Sequence, residues 1–90
     1  MSYLITEVQF HKTGNIVVNN TSKANWNGTD GALRVFYDAL NKASFSQSQM
    51  KCKVEIKDEN LVRLKYDEVI NENVVPDEPT PETPSEEPTE

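Results

Sequence analysis

The chain has 90 residues, nine Lys plus Arg against 15 Asp plus Glu, a net charge of -6 and a single cysteine, Cys52. One cysteine excludes an internal disulfide, the usual staple of small secreted domains, and fits a reducing, cytoplasmic setting. No apolar run approaches the ~20 residues of a membrane span, and Met1-Ser2-Tyr3-Leu4-Ile5-Thr6-Glu7 has neither a basic nor an apolar leader region, so no membrane contact is expected.

Residues 3–10, Tyr-Leu-Ile-Thr-Glu-Val-Gln-Phe, are β-prone, and period two places Leu4, Thr6, Val8 and Phe10 on one side. Lys12-Thr13-Gly14-Asn15 supplies a turn in which Gly14 is free to take positive φ. Ile16-Val17-Val18-Asn19 returns as a second strand, which predicts an N-terminal hairpin. From Asn19 to Gly31 the chain is mostly Asn, Thr, Ser, Gly and Lys and reads as a loop around one large residue, Trp26.

A helix is predicted from about Asp30 to Ala43, with Asn27, Thr29 or Asp30 available as N-cap. At ~100° per residue, Ala32, Leu33, Val35, Phe36, Tyr37, Ala39, Leu40 and Ala43 share one arc. Arg34, Asp38, Asn41 and Lys42 lie opposite, with Asp38 and Lys42 at a favourable spacing for an ion pair. Ser44 to Gln49 is a polar connection.

Met50, Cys52, Val54 and Ile56 then alternate with Lys51, Lys53, Glu55 and Lys57, the clearest period-two segment in the chain. Asp58-Glu59-Asn60 turns, and Val62, Leu64 and Tyr66 alternate with Leu61, Arg63, Lys65 and Asp67. The expected fold is α+β in the order ββαββ: a four-stranded, mostly antiparallel sheet with one helix packed on its apolar face. Strand order in space is left open by these patterns.

The domain spans residues 1–71, with a charge of +1, and residues 72–90 carry a charge of -7 and no base. All five prolines fall in that second segment, among Thr and Glu, so it is expected to be a disordered acidic tail with polyproline II character. Pro76-x-x-Pro79 and Pro81-x-x-Pro84 match a polyproline ligand core, but their acidic flanks favour a solvating appendage.

Motifs that carry chemistry are missing. His11, the one histidine, stands beside a turn with no second His or Cys near it, so no metal site and no cofactor is expected. Cys52 lies on the apolar side of its strand and reads as a small hydrophobe. No phosphate loop, nucleophile elbow or Cys-His pairing appears, and Asp58-Glu59 and Asp67-Glu68 sit at strand ends, where turn and solvation roles dominate. An enzyme is not expected. Asn19-Asn20-Thr21, Asn20-Thr21-Ser22 and Asn27-Gly28-Thr29 match the glycosylation pattern, which matters only in a secreted protein.

Two features point to binding. Lys51, Lys53, Lys57, Arg63 and Lys65 are expected together on the outward face of the second hairpin, a candidate anion or nucleic-acid face with Tyr3 as a nearby aromatic. Lysines there also keep strands soluble, the commoner role of a charged sheet face. Trp26 is a candidate protein contact, or else a cap on the core beside the helix start. The reading these features favour is a non-enzymatic interaction or structural module, of the kind found among bacterial or phage accessory proteins. It would act on another protein or a copy of itself through a sheet edge, the Trp26 loop or the charged face. The alternatives are a nucleic-acid-binding protein with the acidic tail as an intramolecular competitor, and a small protein inhibitor that no particular residue selects.

Overall fold

The computed structural model describes residues 2–76. These form β1 (Tyr3–His11), β2 (Ile16–Lys23), α1 (Ala32–Ser44), β3 (Gln49–Lys57) and β4 (Arg63–Ile70). The strands make one antiparallel sheet in the order β2-β1-β3-β4, with α1 on one face, so the predicted ββαββ layout is present. From Asp77 on, the segment expected to be a tail lies outside the described residues.

The core is the seam between α1 and the two central strands. Ala32, Phe36, Ala39, Leu40 and Ala43 of α1 meet Ile5 of β1 and Cys52, Val54 and Ile56 of β3. Cys52, Val54 and Ile56 have no exposed surface, as their alternation predicted. Fully burying side chains such as Phe36, Ile5 and Ile56 contributes about 1.5–3 kcal/mol each. Tyr37, expected in the same arc, is half exposed and stands edge-on to Phe36 with ring centroids 5.2 Å apart.

Four local expectations are corrected. The polar residues after Asn19 do not leave the sheet: β2 runs on to Lys23, paired with β1 as far as Tyr3, because the ladder satisfies backbone groups whatever the side chains are. The helix cap is Gly31, not Asn27, Thr29 or Asp30, and no side chain caps it. Instead the loop carbonyls of Asn25 and Trp26 accept the Ala32 and Leu33 amides at 2.8 and 2.9 Å. A Cβ on Gly31 would lie 2.5 Å from the Asn27 carbonyl oxygen, so this close approach requires glycine. Asp38 pairs with Arg34 at 3.0 Å, one turn back, rather than with Lys42. His11 is half-buried rather than solvated, its ring nitrogens within 3.2 Å of Ser48 Oγ and 2.8 Å of Gln9 Oε1.

At the far end, Asn71 joins helix and sheet. Its Nδ2 donates to the carbonyls of Ala43 at 2.7 Å and Gln49 at 2.8 Å, tying the last turn of α1 to the first residue of β3.

The two hairpins close in the same way. In the first, the His11 amide donates to the Asn15 carbonyl and the Gly14 amide to the His11 carbonyl, with Gly14 at φ 95°. In the second, the Asp58 amide donates to the Val62 carbonyl and the Leu61 amide to the Asp58 carbonyl, with Leu61 at φ 63°. Leu61 thus occupies the left-handed position that glycine fills in the first hairpin, at a cost of about 1 kcal/mol for a residue with a Cβ. Leu61→Gly is expected to raise unfolding stability by about 0.5–1 kcal/mol, and Gly14→Ala to lower it by about 1 kcal/mol, in urea titrations followed by circular dichroism.

Candidate interaction surfaces

Because side chains alternate along each strand, register decides which residues share a face. Ile5 pairs with Ile56 and Gln9 with Cys52, so Tyr3, Ile5, Glu7 and Gln9 point to the helix side. Leu4, Thr6, Val8 and Phe10, the side of β1 richer in apolar residues, therefore point away from α1. The sheet's other face has no layer over it among the described residues. Across it, Val8 pairs with Val18 and Phe10 with Ile16 on β2, while Val8 pairs with Lys53, Phe10 with Lys51 and Leu4 with Lys57 on β3. Near the first turn an apolar patch of Val8, Phe10, Ile16 and Val18 thus adjoins the basic residues of β3, while Thr6, Asn20 and Ser22 keep the rest of the β1–β2 side polar. Ile16 and Val18 are 61% and 55% exposed, and Leu4, Val8 and Phe10 are partly exposed.

The five basic residues expected to stand together do not all do so. Lys51, Lys53, Lys57 and Arg63 lie on the helix-free face. Lys65 pairs with Ile56 and lies on the helix side, its Nζ 5.6 Å from the Phe36 ring and 5.7 Å from the Tyr37 ring. The cause is the phase of β4. A register shift between Ile56 and Lys57 takes the pairing from Lys65 to Arg63 and skips Leu64. Val69, opposite Cys52, is the β4 side chain packed against the core, and Tyr66, expected on the apolar side, is on the open face opposite Glu55.

Glu55 stands in the middle of the basic residues. Its carboxylate accepts Arg63 Nε at 2.8 Å and lies 3.1 Å from Lys57 Nζ. Burial alone would raise its pKa, but the bonds to Lys57 and Arg63 outweigh burial and hold it below the ordinary carboxylate value. Arg63 also lies 4.5 Å from the Tyr66 ring centroid, and the Tyr66 hydroxyl donates to Glu68 at 2.9 Å, which pushes its pKa up. Among the described residues neither Lys51 nor Lys53 has a carboxylate partner, and Lys53 Nζ sits 5.7 Å from the Phe10 ring. Thr6, Val8, Lys53, Glu55, Arg63 and Tyr66 outline a shallow depression of about 170 Å³ on this face.

Trp26 is not an exposed anchor. It is half-buried against the core, its ring 5.2 Å from that of Tyr3, and forms the lid at the helix start. Tyr3 therefore faces the helix side and is not the aromatic of the basic face; Phe10 and Tyr66 are. Lys23 closes the loop by pairing with Asp30 at 2.7 Å, and that hydrogen bond lowers the Asp30 pKa.

Among the described residues no group of three or more His, Cys, Asp or Glu is placed to hold a metal ion, and no helix is long and apolar enough to cross a membrane. Cys52 is fully buried, and burial, with Glu7 Oε2 at 3.9 Å, pushes its thiol up to about 11, so it is a poor nucleophile. A depression of about 920 Å³ lies between Phe45 and residues 70–76 and has a mostly polar lining. No protein-family model, curated protein or solved structure matches this chain.

Glu55 sets the charge of the open face. Its folded pKa is lowered, so its contribution to stability is present above the ordinary carboxylate pKa and is lost as the pH falls through the lower folded value. Glu55→Gln is expected to destabilise the fold by about 0.5–1 kcal/mol at neutral pH. Urea unfolding of both chains at neutral and strongly acid pH checks this, since the difference should vanish in acid.

Proposed function

We propose that this chain is a non-enzymatic protein-interaction module that docks its partner on the helix-free face of the sheet. The observation that carries the reading is the contiguous apolar patch of Val8, Phe10, Ile16 and Val18, with Leu4 beyond Thr6 on the same face, beside Lys51, Lys53 and Lys57. An apolar patch rimmed by polar residues is the usual mark of a protein contact on a small soluble domain. Two of the flanking cations, Lys51 and Lys53, are held by no carboxylate among the described residues, so the complementary surface is apolar with acidic residues at its border.

A second reading has one observation in its favour. Phe10 under Lys53 and Tyr66 under Arg63 put two aromatic rings and two cations on one open sheet face, the arrangement on which single-stranded nucleic acid stacks. Against it, Glu55 already takes Lys57 and Arg63, and Lys65 is on the other side. In that reading the acidic residues from Asp77 on compete for the same cations.

Selection from a random-peptide library on the full chain distinguishes the two. Peptides that pair Leu, Ile or Phe with Asp or Glu, and whose binding weakens at least about tenfold in Phe10→Ser and in Lys53→Glu, are expected. Peptides without that bias, or indifferent to both substitutions, would remove the reading. Salt-sensitive binding of single-stranded oligonucleotides, stronger in a chain ending at Pro76, would put the second reading in its place.

A further inference from the structure

We propose that β2 is a self-pairing edge, and that two copies of this chain join their sheets antiparallel along it, centred on Asn19. The proposal stands apart from the docking face, since it concerns backbone groups at the sheet's rim.

β2 and β4 are the two edges of the sheet, and they are built differently. β4 carries Arg63, Lys65, Asp67 and Glu68 and a register shift at its start, the features that keep an edge from pairing. β2 has neither. From Ile16 to Ser22 it holds no charge, no proline and no irregularity of register. A long, regular, uncharged edge is a template for a further strand.

The hydrogen-bond phase shows which groups are open. His11 and Asn15 form a hydrogen-bonded pair across the first turn, and such pairs alternate along an antiparallel ladder. With the register of β1 and β2, Val17, Asn19, Thr21 and Lys23 turn their amides and carbonyls to β1. Ile16, Val18, Asn20 and Ser22 turn theirs outward. In a pairing about Asn19, Ile16 meets Ser22 of the second copy and Val18 meets Asn20, so every outward donor and acceptor over Ile16–Ser22 finds its counterpart. The one charge on β2, Lys23, falls opposite the neutral Asn15, so the two paired strands set no like charges against each other. Contact of a patch with itself closes after two copies and leaves no template for a third.

Space on the helix side permits it. α1 lies over the other strands, and a groove of about 500 Å³ separates it from β2, lined by Glu7, Asn19, Thr21, Val35, Asp38 and Lys42. On the other side the pairing sets Ile16 and Val18 of one copy beside Asn20 and Ser22 of the second, which joins the two open faces into one.

Sedimentation equilibrium of the full chain over micromolar to millimolar concentration is expected to show a mass rising from 10.2 kDa toward twice that value. Val18→Pro removes an outward amide and no bond to β1, and is expected to stay folded by circular dichroism yet weaken association at least about tenfold. Cysteine trapping checks register without relying on that variant. Under oxidation Asn19→Cys should cross-link to itself. Val17→Cys and Thr21→Cys should cross-link only when mixed, while the unsubstituted chain, with Cys52 fully buried, should not cross-link. A chain that stays monomeric over the whole range overturns the proposal and leaves the docking reading intact. An association abolished by Phe10→Ser but untouched by Val18→Pro overturns it too, and moves the contact to the open face.

Discussion

The constraint on which everything else depends is that one helix of 13 residues must close a four-stranded sheet. Phe36, with no exposed surface, sits at the centre of that closure, and the dry volume extends only as far as α1 can reach, over Ile5, Cys52, Val54 and Ile56. Two layers make a core of one thickness. The far face of the sheet and the helix side of β2 are left to solvent by geometry, and what the residues there are like is no longer decided by the core.

How much of this was legible in the sequence follows the distance from α1. From Lys51 to Lys57 the alternation of the central strand β3 matches its position, because each residue there lies either under the helix or on the open side; at the start of the strand, where the register shifts, polar Gln49 is buried and Met50 is only partly buried. β1 showed its alternation but not its sense. Its richer side, Leu4, Val8 and Phe10, faces out, while one deep residue, Ile5, suffices for the core because β3 supplies the rest. Hydropathy alone ranks the two sides of a strand; only pairing says which of them the helix covers.

At the rims the pattern misleads for stated reasons. The alternation of β4 is half a period out, because Val62, Leu64 and Tyr66 are apolar yet exposed, whereas Lys65 is on the helix side with its Nζ beside the Phe36 and Tyr37 rings. An ammonium is attracted to an aromatic ring within about 6 Å, so a charge in the alternation does not mark the wet side there. The pattern makes β2 too short because Asn19, Asn20 and Ser22 have little strand propensity, and the ladder to β1 overrides it. Four of the five residues of the basic face are legible in the alternation, Lys65 is not, and neither is the neutralisation of Arg63 by Glu55 on the neighbouring strand.

The same geometry bears on what the residues outside the core do. A strand face that no helix covers, in a domain this small, loses nothing in folding stability by becoming polar, and most of the open face of β3 is polar. Leu4, Val8, Phe10, Ile16 and Val18 go the other way, and the core does not explain them because α1 is on the opposite side of the sheet. Exposed apolar area lowers solubility in the free chain and is useful only when something covers it. The edges show the same contrast, with β4 guarded by four charged side chains and β2 by none until Lys23. Both unguarded features belong to the β1–β2 hairpin. That hairpin gives the core Tyr3 and Ile5 and little else, which leaves most of its surface available for contact with another chain.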